Sequence, residues 1–416
     1  MTDIAAFSPP LIGRSALRAL AASGDARARH YRIDEFGSIP PYLAGARLSI
    51  YAAPGDCEAI WRDAVERCAG TLFQCFEWHA AFHATIGVAE GVEPQIVHLA
   101  DRAGRTLLLL PLAIYREGRL RVLRFSGGVV TDYNAPLIDR TFAARTNAAQ
   151  VARLWAIVLD LLPRVDLVWL RRMPAALEEV PNPFAALPGA EHTENAHPVM
   201  LPETVAAFRA GRKAKFVREN RRLRRRMGEL GAVEFRCPAP GSTEAEAAFA
   251  AIARQKSRLW VETRCRDLFA EPGYLDFYRS LTHADFQSAR PHLSALHVGG
   301  TIVSAGWGMV FRGRYYFLVV GREDGAWTRW SPGRLLFESL IETSIADPEI
   351  GIFDLAAGDE SYKREWTDTK LPLYELLATR TGKGALFLLR HRLRERLKRN
   401  RHLRNWVRRL RGKKPK

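Results

Sequence analysis

Three observations predict an α/β chain with two domains. The 416 residues, 47% hydrophobic, suffice for two cores of ordinary size. Residues 95–125 and 301–322 each hold apolar runs joined by glycine-containing turns, the pattern of strand hairpins. After the second hairpin, Leu335, Leu336, Leu340, Ile341 and Ile345 recur at helical spacing, and a strand-like run follows from Ile352 to Leu355.

In chain order, residues 1–45 are rich in Ala, Arg and Pro and read as a mobile or loosely packed lead segment. The start, MTDIAAFSPPLIGR, has no basic region followed by a continuous apolar stretch, so no export signal is read and the expected location is the cytoplasm. No run approaches the roughly 18 to 20 apolar residues that a membrane-spanning helix needs. The first domain is expected over 46–200. Glu77, Trp78 and His79 fall on a helix after Phe73, with the histidine structural. Gln95 to Leu99 and Thr106 to Leu112 pair through a turn at 101–104, and Leu120 to Phe125 adds a third strand. Ser126-Gly127-Gly128 then breaks the sheet before Asp132 and Tyr133. Two glycines there suit either a turn or the close approach of a ligand or another backbone. His192 and His197 sit in a polar loop without metal partners at a useful spacing.

The second domain is expected over 201–380. Near its start, Phe216, Leu223, Met227 and Leu230 form an inward helical stripe, while Arg212, Lys215, Arg218, Arg222, Arg225 and Arg226 cover the other faces. This is either a surface helix with a positive outside or an attractor for a polyanion. Farther on, Ser331 suits a helix N-cap, Pro332 the first helical position, and Gly333 leaves the backbone open. A helix start of this kind presents free amides and a positive dipole end to an anion. In Ile352 to Trp366, IFDLAAGDESYKREW, Asp354 lies between apolar strand residues and must be paired or neutralised if buried. Gly358, Asp359 and Glu360 then lead to Tyr362, Lys363 and Trp366. The segment reads either as an active-site wall or as a strand, a turn and a capped helix with solvated charges.

The order of these pieces carries a resemblance. A hairpin, SPG opening a helix, then FDL, G and YKREW resembles the GNAT-type acetyltransferases of the CelD-like group, associated with cellulose and exopolysaccharide synthesis and related to the FemAB-like transferases. Phe208 to Arg236 resembles the basic helix and first strand of that group's C-terminal domain. FQCFEW at 73–78, Leu110-Pro111-Leu112 and FSGGVVTDYNAP at 125–136 resemble its N-terminal half. The resemblance spans roughly residues 48 to 380 and implies two tandem GNAT-like domains. SPGR stands where ordinary GNAT enzymes carry a loop of Gln or Arg, two residues, Gly, any residue, and Gly or Ala.

What the resemblance implies is acyl transfer from acetyl-CoA or another acyl-CoA, with no metal, to a hydroxyl or amine of a sugar, polysaccharide or glycolipid. The implied base is Asp354 or Glu360, with Tyr362 as acid or oxygen-binding donor and Lys363 as a charge for the donor phosphates. Ser331, Gly333, Arg334 and Leu335 fall at the implied donor site, and Asp132, Tyr133, Arg218 and Trp366 at the acceptor side. FemAB-like enzymes take aminoacyl-tRNA, so a nucleic-acid donor is the alternative activity. A binding module without catalysis, part of a polysaccharide synthesis complex, is the alternative of another class.

The net charge of +17 is concentrated in two places. Residues 209–226 carry 10 Lys and Arg against one Glu, and residues 390–416 carry 14 against one, so the remainder is slightly acidic. In the tail, from residue 381, Leu389, Leu393, Leu397, Leu403, Trp406, Val407 and Leu410 recur near helical spacing among the arginines. Such a basic amphipathic helix suits an anionic inner-membrane face, RNA or an acidic protein, and otherwise a solvated tail. Five cysteines without paired C-x-x-C spacing predict free thiols.

Overall fold

The computed structural model describes residues 28–36 and 40–399. The first half contains β1 (Ala28–Arg32), β2 (Arg47–Tyr51), α1 (Glu58–Arg67), α2 (Phe76–Ala84), α3 (Ile86–Ala89), β3 (Glu93–Ala100), β4 (Thr106–Glu117) and β5 (Leu120–Phe125). It continues with β6 (Leu137–Ile138), α4 (Arg140–Arg145), α5 (Ala148–Leu161), β7 (Leu167–Pro174), a small hairpin of β8 (Ala176–Leu177) and β9 (Val180–Pro181), and β10 (Ala190–Met200). The second half contains α6 (Val205–Ala210), α7 (Ala214–Gly228), β11 (Val233–Arg236), α8 (Thr243–Glu262), α9 (Tyr274–His283), β12 (Ala289–Val298), β13 (Thr301–Phe311) and β14 (Arg314–Arg322). It ends with α10 (Pro332–Ala346), β15 (Ile352–Ala357), β16 (Leu371–Thr379) and α11 (Gly382–Arg399).

The two halves repeat one plan. A strand, two helices, a three-strand meander, a crossover helix and a parallel strand occur as β2 to β7 and again as β11 to β15. In each half the parallel pair is short. Val122 and Leu123 of β5 face Leu167 and Val168 of β7, and Arg314 to Tyr316 of β14 face Ile352 to Asp354 of β15. Beyond these residues the two strands of each pair are no longer paired with each other.

The expected break at 200/201 is not a break in the sheet. β10, the last strand of the first half, pairs with β15 of the second, while β16 pairs with β7 of the first and with β10. The last strands are exchanged, so one continuous sheet runs through both halves. Aromatic packing reinforces the union. Trp78 of α2 meets Phe277 of α9 edge-on at 5.1 Å, and Phe73 meets Tyr316 at 5.6 Å. These residues of the FQCFEW segment form, with Trp61 and Trp307, an apolar cluster drawn from both halves. Burial of such side chains stabilises the interface by about 1.5–3 kcal/mol each.

Two expectations are corrected here. The lead segment contributes to the fold at its described residues: β1 pairs in register with β2, and Tyr31, Ile33 and Leu43 are buried. An alternating strand pattern, short and flanked by arginines, was masked by the composition of residues 1–45. Leu230, expected on the inward face of α7, is exposed, because that helix ends at Gly228. Leu223 and Met227 are buried as expected.

The start of α11 belongs to the folded body. Thr381 donates from Oγ1 to Asp166 at 2.6 Å, and Phe387 and His391 pack edge-on against Trp169 at 6.0 and 5.5 Å. A Cβ at Gly384 would lie 2.1 Å from the carbonyl oxygen of Asp166. Gly384→Ala is therefore expected to lower stability by about 1–3 kcal/mol, the usual cost of overpacking, measured by urea denaturation. Leu403, Trp406, Val407 and Leu410 lie outside the described residues. Among the described residues, no helix is long and apolar enough to cross a membrane.

Candidate active site

β15 carries the Asp354 side chain into the junction of the halves, where it is fully buried. Both its oxygens accept from the Tyr133 hydroxyl at 2.8 Å; Oδ2 also accepts from Arg314 Nη1 at 2.8 Å, and Oδ1 from the Ala356 amide at 2.8 Å. Burial, with the negative Asp354 adding to it, drives the Tyr133 phenol well above its ordinary range. A carboxylate enclosed and satisfied in this way has no access to an acceptor's proton. The structure therefore makes Asp354 and Tyr133 a strut between halves, not the base and substrate contact the sequence suggested.

The following loop is shaped by Lys363. Ala356 has a φ of 59° and Gly358 of 109°, so the chain turns sharply after β15. The buried Lys363 ammonium donates to the carbonyls of Ala356, Ala357 and Gly358 at 3.2, 2.7 and 3.1 Å and pairs with Glu360 at 2.8 Å. Its hydrogens are all used, which corrects its assignment to donor phosphates. Burial raises the affinity of Glu360 for a proton, yet the Lys363 partner outweighs it and holds the carboxyl below its ordinary range. Glu360 is thus a poorer base than its position in sequence implied. Trp366 is buried against Phe337 at 4.4 Å and Phe216 at 4.9 Å, a core residue and not a substrate contact. Tyr362, by contrast, is 45% exposed.

Asp132 has the chemistry expected of the base. Gly127 turns the chain ahead of it with a φ of 104°, where a Cβ would meet Thr131 Oγ1 at 2.0 Å. Thr131 in turn accepts from Trp78 Nε1 at 3.0 Å, which anchors the segment to α2. Asp132 bonds Arg172 Nη1 at 2.8 Å, and Arg172 also donates to Glu194 at 3.2 Å. Burial pushes the Asp132 carboxyl up to about 6, although Arg172 and Lys363 pull it down; its side chain remains 22% exposed. Burial, then the charge of Asp132, raises the phenol of Tyr278 on α9; burial, then Glu360 and Asp132, raises that of Tyr362. Groups from both halves thus converge on this carboxylate.

Arg172 also lines a cavity of about 480 Å³ between the halves. Tyr115, Arg124, Trp169 and Arg171 form its first-half wall, and Arg266 and Tyr274 come from the second half. Arg124 and Arg171 lie over the Trp169 ring at 4.8 and 5.2 Å. Flat aromatic surface beside guanidinium groups suits a polar acceptor with ring faces and hydroxyl or phosphate edges. Sequence reasoning missed these residues because they are scattered over 115–274 without a motif.

The parted ends of β14 and β15 form the other candidate subsite, at the N-terminus of α10. Ser331 has a φ of 48° and makes no side-chain cap. The amides of Arg334 and Leu335 already donate to its carbonyl at 3.0 and 3.3 Å, so they are not the open donors that were expected. Leu335 is buried, and Arg334 bonds Asn220 and Glu365 and stacks on Phe216 at 4.3 Å. Gly333 keeps its place at the helix start. Its nearest neighbour is the Arg322 side chain, 3.8 Å from where a Cβ would lie, and that guanidinium has no partner among the described residues. A diphosphate fits this combination of dipole and cation. Lys256, on α8, has its pKa lowered by burial despite the nearby Cys265 and Glu360, and its ammonium lies 5.0 Å from the Trp260 ring. Arg218 lies elsewhere, exposed in a shallow groove with Arg209, Arg212 and Arg221. Among the described residues, no group of three or more His, Cys, Asp or Glu is placed to hold a metal ion.

Comparison with known proteins finds that residues 214–364 match the family described as acetyltransferase (GNAT) domain. Among solved structures, FemX is similar at 8% identity and a TM-score of 0.53, over 78% of this chain and 96% of that chain. The C-terminal domain of a putative lysylphosphatidylglycerol synthetase from Agrobacterium fabrum is similar at 13% identity and a TM-score of 0.48, over 81% and 95% of the two chains. L-PGS from Bacillus licheniformis gives 13% and 0.47, over 80% and 95%. No curated protein matches by sequence. The FemX likeness is one of fold, and the repeated plan of the two halves agrees with it. With its second half matching that family and both halves built on one plan, this protein is an acyltransferase carrying a GNAT domain at residues 214–364 in a tandem, FemX-like fold.

Proposed function

We propose that the protein moves an acyl group from acyl-CoA to a hydroxyl or amine of a saccharide or lipid-linked saccharide, in the setting of exopolysaccharide synthesis that the CelD-like resemblance suggests. The observation that carries this reading is Asp132, a carboxylate raised to about 6, bonded to a cavity-lining arginine and in electrostatic reach of groups from both halves. Asp132 takes the proton from the acceptor as its oxygen or nitrogen bonds the acyl carbon. Tyr362 donates toward the sulfur as the carbon–sulfur bond breaks. The donor phosphates lie against Gly333 and Arg322, and the acceptor lies in the cavity beside Trp169. A thiol-release assay over a panel of acyl-CoAs, with amino-sugar and hydroxyl acceptors, tests the reading. Release that depends on no acceptor of either kind would overturn it and leave a binding module.

Gly333→Glu gives a separate test of the donor subsite. A Cβ there stands at ordinary contact distance from Arg322 and Ser304 Oγ, so the fold should persist, while the new charge opposes a diphosphate and competes for Arg322. The expected outcome is at least about tenfold weaker coenzyme A binding by calorimetry, equivalent to about 1.4 kcal/mol.

A second reading, aminoacyl-tRNA as donor, is favoured by the arginine-lined groove at Arg218 and Arg221, neither of which has an ion-pair partner among the described residues. It predicts salt-sensitive tRNA binding that Arg218→Glu with Arg221→Glu abolishes.

A further inference from the structure

Helix α11 has two apolar faces with different fates. Its inner face, Gly384, Phe387 and His391, is committed to Asp166 and Trp169 as described above. Its outer face shows Leu386, Leu389 and Leu393 at 50%, 58% and 50% exposure. Their spacing of three and four places them on one stripe. Arg390, Arg392 and Arg394 are exposed around it and have no ion-pair partner among the described residues. Water is a poor surrounding for three neighbouring leucines, and a basic margin excludes a basic partner. An interfacial bilayer site satisfies both groups at once: leucines enter the acyl boundary, and the arginines stay with anionic headgroups.

Trp169 adds the second observation. Its ring is touched by Phe387 and His391 of α11 and also lines the cavity, where Arg124 and Arg171 lie against it. Helix α11 and the cavity therefore share one indole. We infer that α11 seats the protein on an anionic bilayer and thereby holds the mouth of the Trp169 cavity at headgroup level, so that the acceptor is a lipid-borne headgroup presented from the membrane plane. This rests on the cavity being the acceptor site.

The test uses the full chain with vesicles of phosphatidylcholine, alone or mixed with phosphatidylglycerol. Sedimentation with the anionic vesicles, released by salt, is expected, with no pelleting on the neutral ones. Leu389→Glu with Leu393→Glu should weaken partition by about tenfold or more per leucine. Hydrogen exchange on vesicle binding should slow at residues 386–393 and at the cavity mouth, 116–124 and 169–172. Equal pelleting with neutral vesicles, full binding by the double variant, or displacement of the protein from vesicles by stoichiometric RNA would overturn the seat on the membrane. Protection of α11 without protection of the cavity mouth would overturn its coupling to the acceptor. Thiol release with a water-soluble acceptor, measured without vesicles, reads the acyltransferase proposal independently, so failure of one is separable from failure of the other.

Discussion

Asp132→Asn is expected to lower turnover by about 10²- to 10⁴-fold, the range for loss of a general base, while leaving the protein folded. Wild-type kcat/KM should rise with pH through about 6, where the raised Asp132 carboxyl ionises, and then level off. In the asparagine variant that rise should vanish. Arg172 lowers the Asp132 pKa, so Arg172→Met should move the rise to higher pH, an effect that a purely structural arginine would not produce. Stability should move the other way. Asp132 goes from its ordinary 3.8 to about 6 on folding, so its contribution is fully present below about pH 4 and is lost as pH rises through about 6. At neutral pH the buried charge burdens the fold, and Asp132→Asn should unfold at an equal or higher temperature than wild type. A variant that loses activity and stability together, with an unchanged pH profile in what remains, would show that the residue only supports the structure.

Asp354→Ala is expected to produce the largest loss of stability, about 3–5 kcal/mol, the usual effect of removing one member of a buried ion pair. It strands Arg314, whose side chain is 23% exposed, and deprives Tyr133 of its acceptor. Tyr133→Phe should cost less, about 1.5–3 kcal/mol, since it removes one hydrogen bond to a charged group. The double variant should show strong coupling in denaturant unfolding, because both changes break the same network. Activity per folded molecule should persist in Tyr133→Phe. A folded Tyr133→Phe or Asp354→Asn protein without turnover would return Asp354 to the chemistry.

What was legible in the sequence was local. The 95–125 and 301–322 hairpins appear as β3 to β5 and β13 to β14, and SPG opens α10 as the Pro and apolar spacing required. Alternation, turn glycines and helical period act over a few residues, and the chain writes them out directly. The order of such pieces also sufficed for the GNAT-like fold. Chemical roles were less legible, because a strand acid is written the same way whether it meets solvent or a tyrosine and an arginine from elsewhere. Asp354 looked catalytic and is a strut, Lys363 looked like a phosphate ligand and holds three carbonyls, and Trp366 looked like a substrate contact and is core.

The glycine turn before Asp132 and the two basic segments are readable from residue type and spacing within a short stretch, whereas the two tandem α/β domains were implied by chain length and the family resemblance. The exchange of β10 and β16, the burial of Tyr31, Ile33 and Leu43, and the raised carboxyl of Asp132 come from contacts between distant parts of the chain. The physical reason is desolvation. A carboxylate's accessibility depends on which distant groups replace its water, and for Asp354 those groups are Tyr133 and Arg314, brought together by strand pairing far along the chain.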